Sequence, residues 1–255
     1  MLLTIDIGNT SIMLGVFDEA ELKDHWRIKA DKERTSDEYG ITLSEMLAHK
    51  GLSKEDITAS AVSCVVPSLS QTFNEALDKY LGARPLMLGP GTKTGMAILT
   101  DNPKEVGADR IASAVGAWSI YGQELIVVDF GTAITFDHVS AKGEYLGGAI
   151  APGLSVASNA LFTKAARIAR VDITRPSSIT GKNTVDCVRA GLYFGFVGLV
   201  DGIVERMKKT CQKSPRVVAT GGDAPLIAKE ARTINAIDEF LVLKGLRVIY
   251  ETNRR

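Results

Sequence analysis

The amino-acid sequence predicts an α/β fold made of two similar halves, each with a mixed β-sheet and flanking helices. The first observation is a short apolar run, 2–5, that stops at Asp6 and resumes after a glycine. The second is the return of this pattern at 124–136, where Asp129 lies about half of the 255-residue chain beyond Asp6. The third is that helix and strand patterns follow each copy. A duplicated domain accounts for all three observations.

The first copy predicts a strand, a tight turn and a second strand. Residues 2–5 are uncharged and β-favouring, and Gly8 accepts backbone angles that are closed to other residues. Apolar residues then recur with a period of two at Ile12, Leu14 and Val16. The pattern therefore favours a β-hairpin over a strand-to-helix loop.

The tip of this hairpin offers polar groups to a ligand. Asp6 beside the turn suits a metal ion or its waters. The residues whose backbone N–H and side-chain groups suit phosphate oxygens are Gly8, Asn9, Thr10 and Ser11. For one isolated motif an ordinary hairpin is the simpler interpretation. The recurrence of Asp-x-Gly in the second half favours the functional one.

Both copies continue in the same way. A polar turn leads to a third extended segment, at 22–28 in the first half and at 144–150 in the second. The sequence therefore predicts that a three-stranded meander opens each of two domains, which we place at residues 1–116 and 117–255.

Apolar spacing and capping residues predict the elements that follow each meander. In the first half these are a helix from Thr35 or Ser36 to Gly51, a buried strand at 60–66 ended by Pro67, a helix capped by Ser68 and running to about Tyr80, and a short strand at 85–88. In the second half they are a glycine-rich turn at 147–153, a helix at 154–170, a long helix beginning at Asn183 or Thr184, and a strand at 217–220 that runs into a pair of glycines.

Composition limits the classes of function. Apolar residues make up 45% and charged residues 24% of the chain, which is enough for a substantial core. Thirty basic residues balance thirty acidic ones without a long basic run, so we expect no nucleic-acid and no membrane partner. The longest apolar run, 190–200, is shorter than the ~18 residues that a membrane-spanning helix needs. A small-molecule partner is expected.

The cysteine and histidine residues predict neither a disulfide framework nor a zinc site. Cys64, Cys187 and Cys211 are odd in number, widely spaced and without the paired spacing of zinc ligands. This usage fits a reducing cytoplasm. The histidines lie in no catalytic or ligand spacing, and we expect all three to be structural or exposed: His25, His49 and His138.

Chemistry is expected at the loop 100–110. An apolar stripe begins at Ile111, so the end of this loop should lie at a helix N-terminus. In one interpretation Asp109 caps that helix and Arg110 makes a surface ion pair. In the other, Asp109 is a general base for a substrate hydroxyl and Arg110 holds negative charge through its bidentate fork. The local residues leave both open.

Five short motifs occur in order: Asp6-Ile7-Gly8-Asn9-Thr10, Gly107-Ala108-Asp109-Arg110, Asp129-Phe130-Gly131-Thr132-Ala133, Gly147-Gly148-Ala149-Ile150-Ala151-Pro152-Gly153 and Thr220-Gly221-Gly222-Asp223. Each is weak alone, but together, over nearly the whole chain, they resemble the type III pantothenate kinases. The resemblance implies two duplicated ribonuclease H-like domains, the superfold of actin, Hsp70 and sugar kinases, with ATP held between them. It also implies phosphorylation of pantothenate to 4′-phosphopantothenate, the first step towards coenzyme A.

The resemblance implies roles for individual residues. Asp109 would accept the proton of the pantothenate hydroxyl, and Asp129 would bind a monovalent cation, K⁺ or NH₄⁺. On the residues alone, Asp129 could equally end a strand and satisfy turn amides. Magnesium would accompany ATP near Asp6. The substrate site would comprise Gly107, Ala108, Asp109 and Arg110. The residues expected to bind ATP are Asp6, Ile7, Gly8, Asn9, Thr10, Ser11, Ile12, Met13, Thr132, Gly221 and Gly222.

Thr100 departs from the family pattern, because relatives often have a substrate-contacting tyrosine at this point. This departure leaves open a kinase for another substrate, but not another reaction class. In all, three alternatives to a pantothenate kinase remain. They are a kinase for another hydroxyl substrate, a phosphatase of the same superfold, and a non-catalytic accessory factor for transcription. The intact Asp6, Asp109 and Asp129 argue for an enzyme.

The predicted long helix carries glycines on one stripe, at Gly191, Gly195, Gly198 and Gly202. Each costs a helix ~1 kcal/mol relative to alanine, so close approach of another helix is expected. That helix belongs either to the same subunit or to a second copy. The resemblance favours a homodimer with shared active sites, in which Thr184 at the helix start reaches the pantothenate of the partner.

Overall fold

The computed structural model describes residues 1–165 and 167–254, which form two compact units. The first unit comprises Met1–Ala97, Asp101–Ile120 and the segment from Leu241 onward. The second comprises Ile98–Thr100 and Tyr121–Phe240. The C-terminal helix thus packs with the N-terminal unit. The single division between residues 116 and 117 stays a prediction for the boundary of the folding domains.

The first unit contains a five-stranded mixed sheet with strand order β3-β2-β1-β4-β5. Strands β1 and β2 are antiparallel, whereas β1 and β4 run parallel. Its elements are β1 (Leu2–Ile7), β2 (Ser11–Asp18), β3 (Glu21–Lys29), α1 (Ser36–His49), β4 (Ala59–Cys64), α2 (Pro67–Ala76), β5 (Pro85–Met87), α3 (Ala108–Tyr121) and, at the end of the chain, α7 (Leu241–Arg254).

The second unit repeats this topology, with strand order β8-β7-β6-β9-β10. Strand β6 is antiparallel to β7 and parallel to β9, as β1 is to β2 and β4. Its elements are β6 (Leu125–Phe130), β7 (Ala133–Val139), β8 (Tyr145–Pro152), α4 (Leu154–Lys164), α5 (Thr184–Lys208), β9 (Arg216–Thr220), α6 (Ala224–Ile227) and β10 (Ala236–Ile237). The predicted duplication of a meander within an α/β fold is confirmed.

Local capping chemistry explains the first helix. The Thr35 hydroxyl accepts from the Glu38 N–H at 3.3 Å, and the Glu38 carboxylate accepts from the Thr35 N–H at 2.7 Å. This reciprocal pair is a capping box, so the predicted start is confirmed. The chain then leaves the helix near Gly51, whose φ of 72° favours glycine.

The prediction that Ser68 caps the second helix is wrong. Val66 occupies the N-cap position without a side-chain cap, and Pro67 is the first helical residue. Proline suits this position because it lacks only an N–H that would have no partner within the helix. The helix continues as one π-helical turn, Leu77–Leu81, and ends at Gly82 with a φ of 62°.

Helix α4 is shorter than predicted, since it ends at Lys164 and not at Arg170. Ala165 already has an extended backbone, and 167–183 contain no helix or strand. Helix α5 begins as predicted, with the Asn183 side chain accepting from the Asp186 N–H at 2.9 Å.

Helix α5 also corrects an expectation about hydropathy. The apolar run 190–200 is part of a 25-residue helix that is long and apolar enough, by length and composition alone, to cross a membrane. Its mean hydropathy is 1.5, and 33% of the most apolar stretch is buried within the chain. A core helix of a soluble protein passes the same test, so the finding is weak evidence for a membrane span.

Each sheet supports its own apolar core. In the first unit, β1 is buried on both faces, and α1 and α2 cover one of them with residues such as Leu43 and Phe73. In the second unit, the inner residues of β6 pack against α5 through side chains such as Phe196 and Val200. Since both central strands are buried, the polar ends of β1 and β6 are held in fixed positions.

Candidate active site

The first glycine turn connects β1 to β2. The Gly8 N–H donates to the Ser11 carbonyl at 3.1 Å, while Asn9 and Thr10 are exposed at the tip. Gly8 does not have a positive φ, so the expectation of a special backbone angle is wrong. A Cβ atom there would instead lie 3.1 Å from the Ser11 carbonyl oxygen. Glycine keeps this turn tight by the absence of its side chain.

Two predicted site residues of the first unit, Asp6 and Asp109, lie close enough to repel each other electrostatically. Asp6 is next to the last residue of β1, and its partner in the parallel strand β4 is Ser63. The Ser63 hydroxyl donates a short hydrogen bond to the Asp6 carboxylate. Asp109 approaches from the first turn of α3. A strand end and a helix start thus bring two carboxylates together.

Burial is the main reason why the pKa values of both carboxylates are raised. It raises the pKa of Asp6 from 3.8 to about 7, with a further contribution from the Asp109 charge. The hydrogen bond from Ser63 and the positive charge of Arg27 oppose this rise in pKa. Burial also raises the pKa of Asp109, against the backbone N–H and the charge of Arg110. The pair therefore favours a bound proton or cation.

The start of α3 is shaped around the Asp109 side chain. Its Oδ1 atom accepts from the Arg110 N–H at 2.8 Å, which resembles the capping interpretation. A Cβ atom at Gly107 would lie 2.4 Å from that oxygen. Gly107 therefore leaves space for the carboxylate beside the helix N-terminus. The cap contact uses one oxygen of Asp109 and is compatible with a role for the other as a base.

Three glycine turns converge in the second unit. The Gly131 N–H donates to the Ala133 carbonyl, and the Gly153 N–H donates to the Thr132 carbonyl, both at 3.0 Å. A Cβ atom at Gly153 would lie 2.4 Å from the Thr132 carbonyl oxygen. The motifs at Gly131 and Gly153, separate in sequence, thus form one backbone surface around Thr132. This hairpin is one residue shorter than that of the first unit.

The third turn packs on Asp129. Gly221 has a φ of 92°, and a Cβ atom there would lie 2.4 Å from the Asp129 Oδ1 atom. Any other residue at this position would be strained and would displace the carboxylate. The structure therefore brings together Asp129, Thr132 and Gly221 at the end of β6.

A pocket of about 300 Å³ lies beside this third turn. It is lined by α4, by the segment 170–173, and by Asp223 and Leu226. Asp223 immediately follows the glycine pair Gly221-Gly222. The volume is at the lower end of the range for small-molecule sites, roughly 300–1,000 Å³.

The side chains of Ile7 and Ile12, which were predicted to bind ATP, are fully buried in the core of the first unit and leave only their backbone for a ligand. Thr184 and Thr100 are instead wholly or partly exposed. Thr184 is exposed in the first turn of α5. Thr100 is partly exposed, but its hydroxyl oxygen is buried without a hydrogen-bond partner among the described residues. Its methyl group lies 3.8 Å from where a Cβ atom of Gly147 would be. Thr100 thus presents an unsatisfied polar atom beside the glycine-rich strand β8.

One polar cluster was missed by reasoning from sequence spacing. His138 Nε2 lies 2.9 Å from Glu124 Oε1 and 3.4 Å from Cys211 Sγ. Burial and Glu124 raise the pKa of Cys211 to about 11. His138 is buried, which agrees with the expected structural role, and pairing of β6 with β7 and the return of the chain after α5 bring it beside Glu124 and Cys211. No local spacing signals such a contact across 73 positions.

The duplicated sheets and paired carboxylates define a member of the actin, Hsp70 and sugar kinase superfold. Among solved structures, a Campylobacter jejuni protein described as a putative Baf family transcriptional activator has a TM-score of 0.61 at 20% identity, covering 99% of this chain and 98% of that one. Component A of the Acidaminococcus fermentans (R)-2-hydroxyglutaryl-CoA dehydratase has a TM-score of 0.56 at 16% identity, with coverage of 100% and 99%. These likenesses establish the fold.

Sequence similarity identifies the family. The profile of the type III pantothenate kinase family matches residues 2–206. A type III pantothenate kinase from Geobacter sulfurreducens is 54% identical over 254 residues, which is 100% of both chains. One from Moorella thermoacetica is 51% identical over 253 residues, covering 99% of this chain and 100% of the relative. The chain belongs to the type III pantothenate kinase family.

Proposed function

We propose that the protein transfers the γ-phosphoryl group of ATP to the hydroxyl group of pantothenate, which yields 4′-phosphopantothenate for coenzyme A synthesis in the cytoplasm. Family membership over the full chain supports this reaction. The observation that carries the catalytic part is the pairing of Asp6 with Asp109, two half-buried carboxylates near a glycine turn, each with a raised pKa. Phosphoryl transfer needs mainly positioning and neutralisation of charge, and these groups are suited to both tasks.

Asp109 is the proposed general base. It lies at the N-terminus of α3, where one oxygen is oriented by the Arg110 N–H. The raised pKa brings the carboxylate nearer to the working pH of a base, because a more basic group removes the hydroxyl proton more effectively. We propose that Gly107, Ala108 and Arg110 hold pantothenate around it.

The paired carboxylates also fit the magnesium ion that accompanies ATP. Bound Mg²⁺ would neutralise negative charge on the phosphates and on the carboxylates near the attacking hydroxyl. Asp6 would hold the ion or its waters, and Ser63 orients the carboxylate for this purpose. The phosphates would bind to the backbone N–H groups of 8–13, to the side chains of Asn9, Thr10 and Ser11, and to Thr132, and the adenosine would lie against Gly221-Gly222. The pocket beside Asp223 has space for such a group.

Asp129 is the proposed ligand of a monovalent cation. Its carboxylate lies against Gly221 at the end of β6, in a cluster of backbone carbonyl and N–H groups. A hard oxygen ligand at this position suits K⁺ or NH₄⁺, and one positive charge near ATP would reduce repulsion between the phosphates and the nucleophile.

We further propose a homodimer formed through α5. A Cβ atom at Gly191, Gly195 or Gly198 would meet no atom within 4 Å, apart from nearby backbone of the helix, in the part of the chain that the structure describes. These three glycines are therefore not used for packing against the described residues of the same subunit, whereas a Cβ atom at Gly202 would lie 3.3 Å from a side-chain nitrogen of Arg206. The stripe would instead admit the α5 helix of a second copy, which would cover its apolar surface.

The experiment is an assay of ADP release by the purified protein with ATP and Mg²⁺. Turnover should require pantothenate, and it should be faster in K⁺ or NH₄⁺ than in Na⁺. ADP release without pantothenate would indicate an ATPase or a phosphatase-like activity. Turnover with other hydroxyl compounds in place of pantothenate would indicate a different kinase.

Absence of turnover under all of these conditions would contradict the proposed reaction, whereas equal rates in the three salts would contradict only the role of Asp129.

A further inference from the structure

We propose that Glu124, His138 and Cys211 form a binding site for one transition-metal ion, with Zn²⁺ as the preferred ion. The three side chains come from different parts of the second unit. Glu124 immediately precedes β6, His138 lies near the end of β7, and Cys211 follows α5. This cluster takes no part in the proposed phosphoryl transfer.

The ligand atoms of the three side chains converge on one point. His138 Nε2 lies 2.9 Å from Glu124 Oε1 and 3.4 Å from Cys211 Sγ, and no two of the three atoms are more than 4.8 Å apart. In a tetrahedral zinc shell, with Zn–N and Zn–O of about 2.0–2.2 Å and Zn–S of about 2.3 Å, neighbouring ligand atoms lie roughly 3.3–3.7 Å apart. Small side-chain movements therefore suffice to enclose an ion.

Hydrogen bonding uses only part of this arrangement, because the His138 Nε2–H can donate to Glu124 and the Cys211 S–H to the Met207 carbonyl, while the short contact between Nε2 and Sγ is left over. An imidazole nitrogen has one proton or one lone pair in the ring plane, so His138 Nε2 cannot interact fully with both the carboxylate and the thiol. The Cys211 thiol has a second contact, with the Met207 carbonyl at 3.3 Å. One cation at the common point would accept a lone pair from oxygen, nitrogen and sulfur together.

Backbone hydrogen bonds hold the Glu124 carboxylate in a fixed orientation, as is common for metal ligands. Glu124 is only 3% exposed, and its carboxylate is oriented by the Lys213 N–H at 2.7 Å and the Gln212 N–H at 3.1 Å. Each N–H bonds to a different oxygen, which fixes the direction of the carboxylate, and Oε1 keeps a second lone pair that can bind metal. Because Cys211 is only partly buried, an ion has a route to the site and a fourth position for water.

The set of donor atoms selects the class of ion. One thiolate, one imidazole and one carboxylate suit a borderline divalent ion such as Zn²⁺ or Co²⁺, whereas Mg²⁺ and Ca²⁺ prefer oxygen ligands alone. Binding releases the thiol proton of Cys211 to solvent and uses neutral His138. The ion would fasten the segment after α5 to strands β6 and β7, and it would stabilise the second unit.

The test uses Co²⁺ as a spectroscopic probe of the whole protein, freed of metal and without ATP. One equivalent of Co²⁺ should produce a thiolate-to-cobalt absorption band, and Zn²⁺ should abolish it by displacement. Cys211→Ser should lose the band, and His138→Gln should weaken Co²⁺ binding at least tenfold. The matched controls are Cys64→Ser and His49→Gln, which remove a cysteine and a histidine outside the cluster and should leave the band unchanged. Zn²⁺ should raise the Tm of the wild type and the controls but not that of Cys211→Ser.

A second measurement needs no substitution. Alkylation of wild-type cysteines followed by peptide mapping should show that saturating Zn²⁺ slows modification of Cys211 at least tenfold and leaves Cys187 unchanged. The proposal would be overturned if the wild type gave no band, if the band survived in Cys211→Ser, or if it disappeared in Cys64→Ser. It would also be overturned if Zn²⁺ did not slow the alkylation of Cys211. The three residues would then form only a hydrogen-bonded cluster.

Discussion

At the scale of single residues, the proposed site depends on two carboxylates whose pKa values are raised mainly by burial, with a further contribution from the Asp109 charge at Asp6. Asp6 and Asp109 were both recognisable from short motifs, but their mutual repulsion depends on how β1 and α3 pack within the first unit. Ser63 was not predicted to matter. It became visible only because the parallel register of β1 and β4 places it beside Asp6.

Replacing the proposed base tests the role of Asp109. Asp109→Asn keeps the size of the side chain and can still accept from the Arg110 N–H, but it cannot take up the substrate proton. We expect kcat to fall about 10²–10⁴-fold while ATP binding is retained. Steady-state kinetics and calorimetric ATP titration measure the two effects. The exposed Asp101→Asn is the control and should keep nearly normal activity, and a loss below about tenfold for Asp109→Asn would reduce Asp109 to a capping residue.

The raised pKa of Asp6 predicts how stability depends on pH. Between the unfolded pKa of 3.8 and the folded value of about 7, the native state holds a proton that the unfolded chain releases. Without ligands, the Asp6 contribution to the free energy of unfolding therefore falls as pH rises through this window and is constant above it. Asp6→Asn removes this penalty, so it should be more stable than the wild type at pH 8, by on the order of 4 kcal/mol, and nearly equal at pH 4. Urea unfolding of both proteins at pH 4 and pH 8 measures their free energies of unfolding. If the two proteins differed by the same amount at both pH values, the raised pKa of Asp6 would be contradicted.

At the scale of elements, the sequence predicted most of the fold because hairpins, caps and apolar periodicity are local properties. The capping box of α1 and the Asn183 cap of α5 were both expected. The prediction for the start of α2 is wrong because Pro67 both ends the preceding strand and suits the first position of a helix, so the helix begins one residue earlier than Ser68. Contacts between distant segments, such as Glu124 with His138 and Cys211, have no local signal.

The crossing of α3 and α7 is another such contact. A Cβ atom at Gly245 would lie 1.8 Å from the Ala112 carbonyl oxygen, and one at Gly116 would lie 2.3 Å from the Leu241 carbonyl oxygen. Two glycines, one on each helix, thus let the backbones approach within the first unit. This contact attaches α7 to α3 within the first unit.

Gly245→Ala should therefore destabilise the protein in spite of alanine's better helix propensity. The propensity gain is ~1 kcal/mol, but a Cβ atom against a backbone carbonyl forces the helices apart, and overpacking costs ~1–3 kcal/mol or more. We expect a net loss of about 2 kcal/mol in the free energy of unfolding, measured by urea denaturation. Gly89→Ala is the control, because a Cβ atom there would meet nothing within 4 Å and its stability should change little. Equal stabilities of the two variants would contradict this packing.

At the scale of the whole molecule, the exposed glycine stripe of α5 has a consequence for activity. Thr184 is exposed at the N-terminus of this helix, where a hydroxyl and unpaired N–H groups suit a carboxylate such as that of pantothenate. If α5 pairs with its copy, this helix start lies near the interface and can serve the site of the partner. The proposed dimer would then be required for catalysis as well as for stability.

Complementation between two inactive variants tests this sharing of sites. Asp109→Asn subunits lack the base, and Thr184→Ala subunits lack the donated contact. After subunit exchange, each mixed dimer would contain one site with both residues and one with neither, so an equal mixture should recover roughly a quarter of the active sites. Mixing Asp109→Asn with the double variant Asp109→Asn/Thr184→Ala is the control and must stay inactive, since no dimer then holds a base. If exchange is verified by mass-labelled subunits and activity does not return, or if the protein is monomeric at micromolar concentration, the sites are not shared, because Thr184 then cannot act across an interface.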